Sequence, residues 1–235
     1  MTTYNDYAAA AALAKAVESQ LLERLDVVAL KPKHILTIGF GTDSSELLLR
    51  TRYPNAVITR MDFTEQMLEQ GWSLLAIKEL PLAKNSIDLI ISNLFLPWCA
   101  DQEQLLVEWR RILRPEGLLM FTGFGPDTLR EWHQDFLLPK RMDMHDLGDG
   151  LVSAGFSDPV LDVEQFILRY KDPEKLLHEL QVTGMIFENP TDSFSNNITY
   201  EVVYAHTWGP PPVSMADEQG VVKVPLEQLG GRRGN

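Results

Sequence analysis

Residues 34–43 read HILTIGFGTD: a mostly apolar run, a turn with two glycines, and the start of a polar segment. The apolar run predicts a buried strand, and one of the polar residues 42–44 can cap a helix that follows it. Gly39 and Gly41 would let the backbone approach a nucleotide closely, and the N-terminus of the helix would attract an anion. The alternative interpretation is an ordinary strand-to-helix turn.

Strands and helices alternate on both sides of this turn. Apolar runs predict strands at 34–39, 56–61, 86–92 and 118–124, with a weak one near 75–77. Amphipathic or capped segments predict helices at 7–25, 44–52, 64–70 and 102–113. Strands separated by helices form right-handed βαβ units, so we expect a parallel sheet with helices on both faces.

The pattern changes after Gly125. Residues 144–154 and 173–183 predict helices, residues 159–170 are extended, and residues 200–208 alternate as a strand. We expect this last strand to pair antiparallel beside the parallel strands. The sequence therefore predicts an α/β fold with a mainly parallel sheet and an antiparallel C-terminal edge.

Two polar residues follow predicted strands at the edge where such folds bind ligands. Asp62 ends the second strand about 20 residues after the glycines, where Rossmann-type folds place an acid on ribose hydroxyls. A helix cap or a solvated acid is the alternative for Asp62. Asn93 ends the strand at 86–92, and Phe95, Trp98 and Cys99 lie just beyond it, where core or lid packing is the alternative role. The sequence holds no metal-binding or hydrolase motif.

Composition narrows the class of protein. The 235 residues are 45% hydrophobic, carry a formal net charge of −12 and include one cysteine. This length favours a single domain, and the charge argues against a nucleic-acid partner. The sequence shows neither a membrane-spanning apolar run nor a secretory signal, and one cysteine allows no internal disulfide. We therefore expect a cytoplasmic protein with neither a nucleic acid nor a membrane as its partner.

Several longer motifs resemble those of the BioC-type methyltransferases, and the resemblance extends from about residue 7 to residue 229. A mitochondrial complex I assembly factor is the next most similar family. The segments with the closest resemblance are Trp109-Arg-Arg-Ile-Leu-Arg-Pro115, Phe124-Gly-Pro-Asp-Thr-Leu129, Asp143-Met-His-Asp146, and Tyr200-Glu-Val-Val-Tyr204 with His206 and Trp208.

The resemblance implies a Rossmann-like class I methyltransferase fold with a seven-stranded sheet. It implies methyl transfer from S-adenosylmethionine to the carboxylate of malonyl-acyl carrier protein, which forms a methyl ester for biotin biosynthesis. The cofactor would contact Gly39, Gly41, Asp62 and Asn93, while Tyr7 would close the site as a lid near Trp98. The chain would divide into an N-terminal helical lid (1–30), a methyltransferase domain (31–209) and a C-terminal extension (210–235).

The sequence departs from the family pattern around the cofactor. An acid is replaced by Thr37, a cysteine by Phe40, a glycine by Asp43, and an adenine-contacting Asp by Ala76. Lost polar contacts of about 1 to 3 kcal/mol each would weaken cofactor binding. The alternative function is therefore a pseudo-methyltransferase that acts as a binding or assembly partner. Docking of an acidic carrier protein would need local basic patches, for which the candidates are Lys31, Lys33, Arg110, Arg111, Arg114, Lys140 and Arg141.

Overall fold

The computed structural model describes residues 11–39, 43–61, 74–132, 139–186 and 195–210. Within these ranges the helices are α1 (Ala12–Glu23), α2 (Asp43–Arg52), α3 (Gln102–Ile112), α4 (Met144–Ser153) and α5 (Pro173–Val182), with short 3-10 helices at Arg24–Val27 and Leu96–Trp98. The strands are β1 (His34–Gly39), β2 (Val57–Met61), β3 (Ile87–Asn93), β4 (Leu113–Phe124), β5 (Ser157–Arg169) and β6 (Asn197–Trp208).

The six strands form one sheet in the order β2-β1-β3-β4-β6-β5. The pairs β1–β2, β1–β3 and β3–β4 are parallel, whereas β6 pairs antiparallel with both β4 and β5. The predicted parallel sheet and its antiparallel C-terminal edge are therefore confirmed. The extended segment expected at 159–170 is strand β5.

Two strand predictions need correction. The described residues form six strands rather than seven, because the segment near 75–77 makes only one isolated bridge, between Leu75 and Cys99. Strand β4 begins at Leu113, five residues before the predicted start, because the chain extends directly out of helix α3. Pro115 lies near the beginning of this strand, where a missing N–H is tolerated. The helix expected at 64–70 lies outside the described residues.

Aspartate caps set the starts of three helices. Asp101, Asp143 and Asp172 accept hydrogen bonds from backbone N–H groups in the first turns of α3, α4 and α5, respectively. Such caps satisfy N–H groups that have no partner within the helix. The helix predictions at 102–113, 144–154 and 173–183 are confirmed to within a residue.

The core covers both faces of the central strands. Every residue from Gly117 to Phe124 is buried, and successive side chains of a strand point to opposite faces of the sheet. Trp109 of α3 packs against Phe121 of β4, with ring centroids 5.4 Å apart. Helix α1 buries Val17 and Leu21 and contacts β3 and β4. In the described part of the chain, no helix combines the length and hydropathy that crossing a bilayer would require.

Candidate active site

The carboxyl ends of β1 and β3 bring two of the predicted site residues together. Gly39 and Asn93 are register partners at the end of this parallel pair. Gly39 has φ +98°, and a Cβ atom there would lie 2.5 Å from the Cβ of Phe95. A glycine is therefore required both by the backbone conformation and by the close approach of the neighbouring strand. This edge of the sheet is where open α/β folds bind their ligands.

Asn93 connects the sheet to helix α1. Its buried side chain donates a hydrogen bond from Nδ2 to the carbonyl oxygen of Ala14, at 2.9 Å. Its Oδ1 accepts a hydrogen bond from the Thr122 hydroxyl at 3.0 Å, and that hydroxyl oxygen accepts one from the backbone N–H of Leu94 at 2.8 Å. The carboxamide therefore holds the N-terminal helix over the ends of β3 and β4, a role that the sequence did not suggest.

Trp98 lines a pocket at this edge, and its neighbours pack in the core. The pocket lies between α1, the ends of β3 and β4, and α5, and its lining includes Trp98, Phe124 and Tyr200. Phe95 is fully buried, which confirms the packing alternative for this side chain. Cys99 is buried as well, and burial raises the pKa of its thiol to about 12. The thiol is therefore protonated at neutral pH and is a poor nucleophile.

Three of the predicted site residues, Tyr7, Gly41 and Asp62, lie outside the described residues, as does Phe40. Their roles stay predictions. Of the other departures from the family pattern, Thr37 lies in β1 beside Ile91 of β3. Ala76 is exposed and follows Leu75, whose backbone N–H donates to the carbonyl oxygen of Trp98 at 2.7 Å.

Arg141, which the sequence analysis placed only in a possible docking patch, lies near the carboxyl edge of the sheet. The N–H of Lys140 donates to the Pro97 carbonyl at 2.7 Å, and the N–H of Met142 donates to the Phe124 carbonyl at 3.0 Å. Arg141 therefore lies at the carboxyl edge, between the end of β4 and the 3-10 helix that carries Trp98. It is partly buried, and desolvation lowers the pKa of its guanidinium.

Among the described residues, no carboxylate forms an ion pair with Arg141. A partly desolvated guanidinium favours an anionic group such as a carboxylate. No local pattern in the sequence indicates this position, because the residues on either side of Arg141 are held by Pro97 and Phe124, about 45 and 17 residues away.

Two of the other basic candidates, Arg111 and Arg114, form ion pairs with acids of the fold. Arg111 pairs with Glu108 and donates to the carbonyl oxygens of Leu80 and Leu82. Arg114 pairs with Asp88 at 2.6 Å, near the amino ends of β1 and β3. The contacts of these two side chains connect segments of the fold.

Glu201 of β6 shapes the loop that follows β4. Its carboxylate accepts a hydrogen bond from the N–H of Asp127 at 2.7 Å, and its backbone exchanges hydrogen bonds with the Thr128 hydroxyl at 2.9 and 3.1 Å. A Cβ atom on Gly125 would lie 2.4 Å from the same carboxylate. The motifs at 124–129 and 200–204 are therefore one interlocked unit beside the pocket.

Comparison of the sequence with known proteins identifies its family. A methyltransferase domain family matches residues 36–121. The malonyl-[acyl-carrier protein] O-methyltransferase of Gallionella capsiferriformans is 34% identical, over 92% of this chain and 91% of the relative. The protein of the same name from Methylovorus sp. is 36% identical, over 87% and 84% of the two chains.

Solved structures agree on the fold. The YcgJ protein of Bacillus subtilis superposes with a TM-score of 0.58 at 10% identity, covering 83% of this chain and 99% of that one. The [4+2]-cyclase SpnF gives a TM-score of 0.51 at 14% identity, covering 84% and 83%. Identities this low show the fold and do not show the reaction. The near full-length match to curated relatives shows more: the chain belongs to the malonyl-[acyl-carrier protein] O-methyltransferase family, within the S-adenosylmethionine-dependent methyltransferases.

Proposed function

We propose that this protein transfers a methyl group from S-adenosylmethionine to the free carboxylate of malonyl-acyl carrier protein, in the cytoplasm, as a step toward biotin. The observation that carries the proposal is the match to relatives of that name over about nine tenths of both chains. The partly buried Arg141 supports it, because a carboxylate is the acceptor group that such a guanidinium favours.

The described residues fit a nucleotide-bearing cofactor at the end of β1. Gly39 has the positive φ of a tight turn and lies at the carboxyl edge beside Asn93. We propose that Gly39, Gly41 and Asp62 hold S-adenosylmethionine, and that Asn93 acts on this site by positioning helix α1. When bound, the cofactor supplies an electrophilic methyl group. We also propose that Thr37, Phe40, Asp43 and Ala76 weaken its binding relative to the family pattern.

The acceptor carboxylate needs little help from a base. It is already an oxygen nucleophile, so it could accept the methyl group that the cofactor would supply, with the cofactor sulfur as the leaving group and without any proton transfer. The chain's task is to align the acceptor and to exclude water. Arg141 would hold the carboxylate, and the apolar wall of Trp98, Phe124 and Tyr200 would keep the surroundings dry.

We propose the lid role for Tyr7 and the preceding residues rather than for helix α1. That helix buries Leu21 in the core, and its Ala14 carbonyl bonds Asn93. Arg24, which follows it, donates twice to Asp162 at 2.8 Å. We also propose that the methyltransferase domain spans residues 31–209 and that residues 210–235 form a C-terminal extension.

A pseudo-methyltransferase is the second candidate, and the departures at Thr37, Asp43 and Ala76 favour it. In this case the fold would bind a partner without transferring a methyl group. The presence of a cyclase on a related fold illustrates that the architecture does not dictate the reaction.

The test is an assay of methyl ester formation on malonyl-acyl carrier protein, with Arg141→Ala compared to the natural chain. Removing a charge-assisted contact of about 2 kcal/mol should lower kcat/KM for the acceptor roughly 30-fold, with unchanged affinity for S-adenosylmethionine. Arg169→Ala, at an exposed arginine ending β5, is the matched control and should have no effect. No ester formation by the natural chain at saturating cofactor would instead support the pseudo-methyltransferase.

A further inference from the structure

Among the described residues that line the pocket beside Trp98, one side chain is acidic and most of the others are apolar. Glu179 of α5 lines the pocket together with Leu94, Trp98, Phe124 and Met185. It is partly buried. A carboxylate in such surroundings must be compensated by hydrogen-bond donors. What the pocket can bind therefore depends on the hydrogen-bond donors around the Glu179 carboxylate. Some of these donors come from the chain, and a ligand would have to supply the rest.

The described residues supply hydrogen-bond donors to only part of the Glu179 carboxylate. The hydroxyl of Tyr170 hydrogen-bonds to it, and burial together with this acceptor raises the pKa of Tyr170. The Thr183 hydroxyl also lines the pocket, but it donates to the backbone carbonyl of Glu179, at 2.8 Å, instead of the carboxylate. A carboxylate has about four lone-pair sites, so the contacts from the described residues leave Glu179 with acceptor capacity for a ligand that carries N–H donors.

The charge of Glu179 also decides which end of the acceptor it can face. Two carboxylates in a site of low dielectric repel each other, so the carboxylate to be methylated would not lie beside Glu179. Arg141 carries the opposite charge but is not among the described residues that line this pocket; its neighbours Lys140 and Met142 are hydrogen-bonded to Pro97 and Phe124 at the same edge of the sheet. The pocket that contains Glu179 is therefore suited to a neutral part of the acceptor, and the acceptor carboxylate would lie outside this pocket, toward Arg141.

We infer that the Glu179 end of the pocket binds the amide-bearing arm through which the acyl thioester is attached to its carrier protein, an inference that rests on the proposed function. This arm is an uncharged chain of methylene groups with two amide N–H donors. An amide N–H would donate to the Glu179 carboxylate, while the methylene groups would pack against Trp98, Phe124 and Tyr200. A cationic amine is the competing ligand class, since it also suits an acid beside aromatic rings.

The first experiment measures binding of pantetheine, which carries the arm without the malonyl group, by calorimetry or ligand-observed NMR. The natural chain should bind it, Glu179→Ala should weaken binding about tenfold, and Glu179→Gln should weaken it less because its amide oxygen still accepts. Glu174→Ala, at an exposed acid of the same helix, should match the natural chain. Melting temperatures of all four proteins control for misfolding.

Two results would overturn the inference: equal pantetheine binding by the natural chain and Glu179→Ala, or binding of ethanolamine or choline with no binding of pantetheine. Kinetics with two acceptors then separate this inference from the proposed function. Glu179→Ala should raise KM for malonyl-pantetheine about tenfold more than KM for monoethyl malonate, which lacks the amides. If the natural chain methylates neither acceptor, the proposed function fails, while pantetheine binding still decides the role of Glu179.

Discussion

The two halves of the sheet edge differ in how closely they follow the family pattern. On the β1 side, where the cofactor is expected, Thr37, Phe40, Asp43 and Ala76 replace residues of the pattern. On the β4–β6 side, the motifs at 124–129 and 200–204 are intact, and Glu201 and Thr128 interlock them through hydrogen bonds of 2.7 to 3.1 Å. The chain therefore departs from the family pattern more on the β1 side, the proposed cofactor side, than on the β4–β6 side, the proposed acceptor side.

The largest expected effect is a loss of stability at Gly39, where the backbone conformation requires a glycine. Gly39→Ala should lower the free energy of unfolding by about 3 kcal/mol, because it adds a clash with Phe95 to a positive-φ backbone. Chemical denaturation measures this change. Gly155→Ala is the matched control: it shares a positive φ, but no atom lies within 4 Å of the added Cβ, so about 1 kcal/mol is expected. Equal losses in the two variants would show that the close approach to Phe95 is relieved cheaply.

The second effect is repair of the cofactor side. The triple variant Thr37→Asp, Asp43→Gly, Ala76→Asp should bind S-adenosylmethionine on the order of 100-fold more tightly than the natural chain. It would remove a like charge from the cofactor carboxylate and restore an acceptor for the adenine amino group. Calorimetric titration measures the gain, which need not be the sum of three separate gains. A folded triple variant without improved binding would show that the shape of the site, rather than these side chains, limits affinity.

The third effect concerns Asp62, the expected ribose contact. Asp62→Ala should cost about 2 kcal/mol of affinity for S-adenosylmethionine, on the order of 30-fold, through lost hydrogen bonds to a charged acceptor. Asp149→Ala, at an exposed acid of α4, should leave that affinity unchanged. An unaltered dissociation constant in Asp62→Ala would move Asp62 to a capping role.

The smallest effect tests whether the two sides are independent. Glu201→Ala should lower stability by about 1 kcal/mol and raise KM for the acceptor a few-fold, because the N–H of Asp127 loses its partner. Glu201→Gln should retain most of both properties, since its amide oxygen can still accept. The affinity for S-adenosylmethionine should change in neither variant, and a parallel loss of that affinity would mean that the two sides are coupled.

The sequence predicted the fold better than the site, for a physical reason. Strand and helix periodicity and the aspartate caps are local properties, so β1, β3 and α3 could be placed from the sequence alone. The weak strand near 75–77 was wrong because extended backbone becomes a strand only where a neighbour pairs with it, and Leu75 finds one bridge.

The roles of individual site residues depend on contacts between distant segments. Asn93 ends a strand, as predicted, but its amide is engaged by Ala14, 79 residues earlier in the chain. Arg141 resembles surface charge in the sequence, yet the loop that carries it is held by Pro97 and Phe124. No local pattern reports such contacts.

The central claim is that the cofactor side is weakened but still binds S-adenosylmethionine, and calorimetric titration of the natural chain tests it most directly. The account predicts a single site per chain with a dissociation constant between about 10 μM and 1 mM, consistent with the loss of one or two polar contacts. Absence of binding up to several times the upper limit, by a chain with an intact melting transition, would contradict the claim and identify a pseudo-methyltransferase.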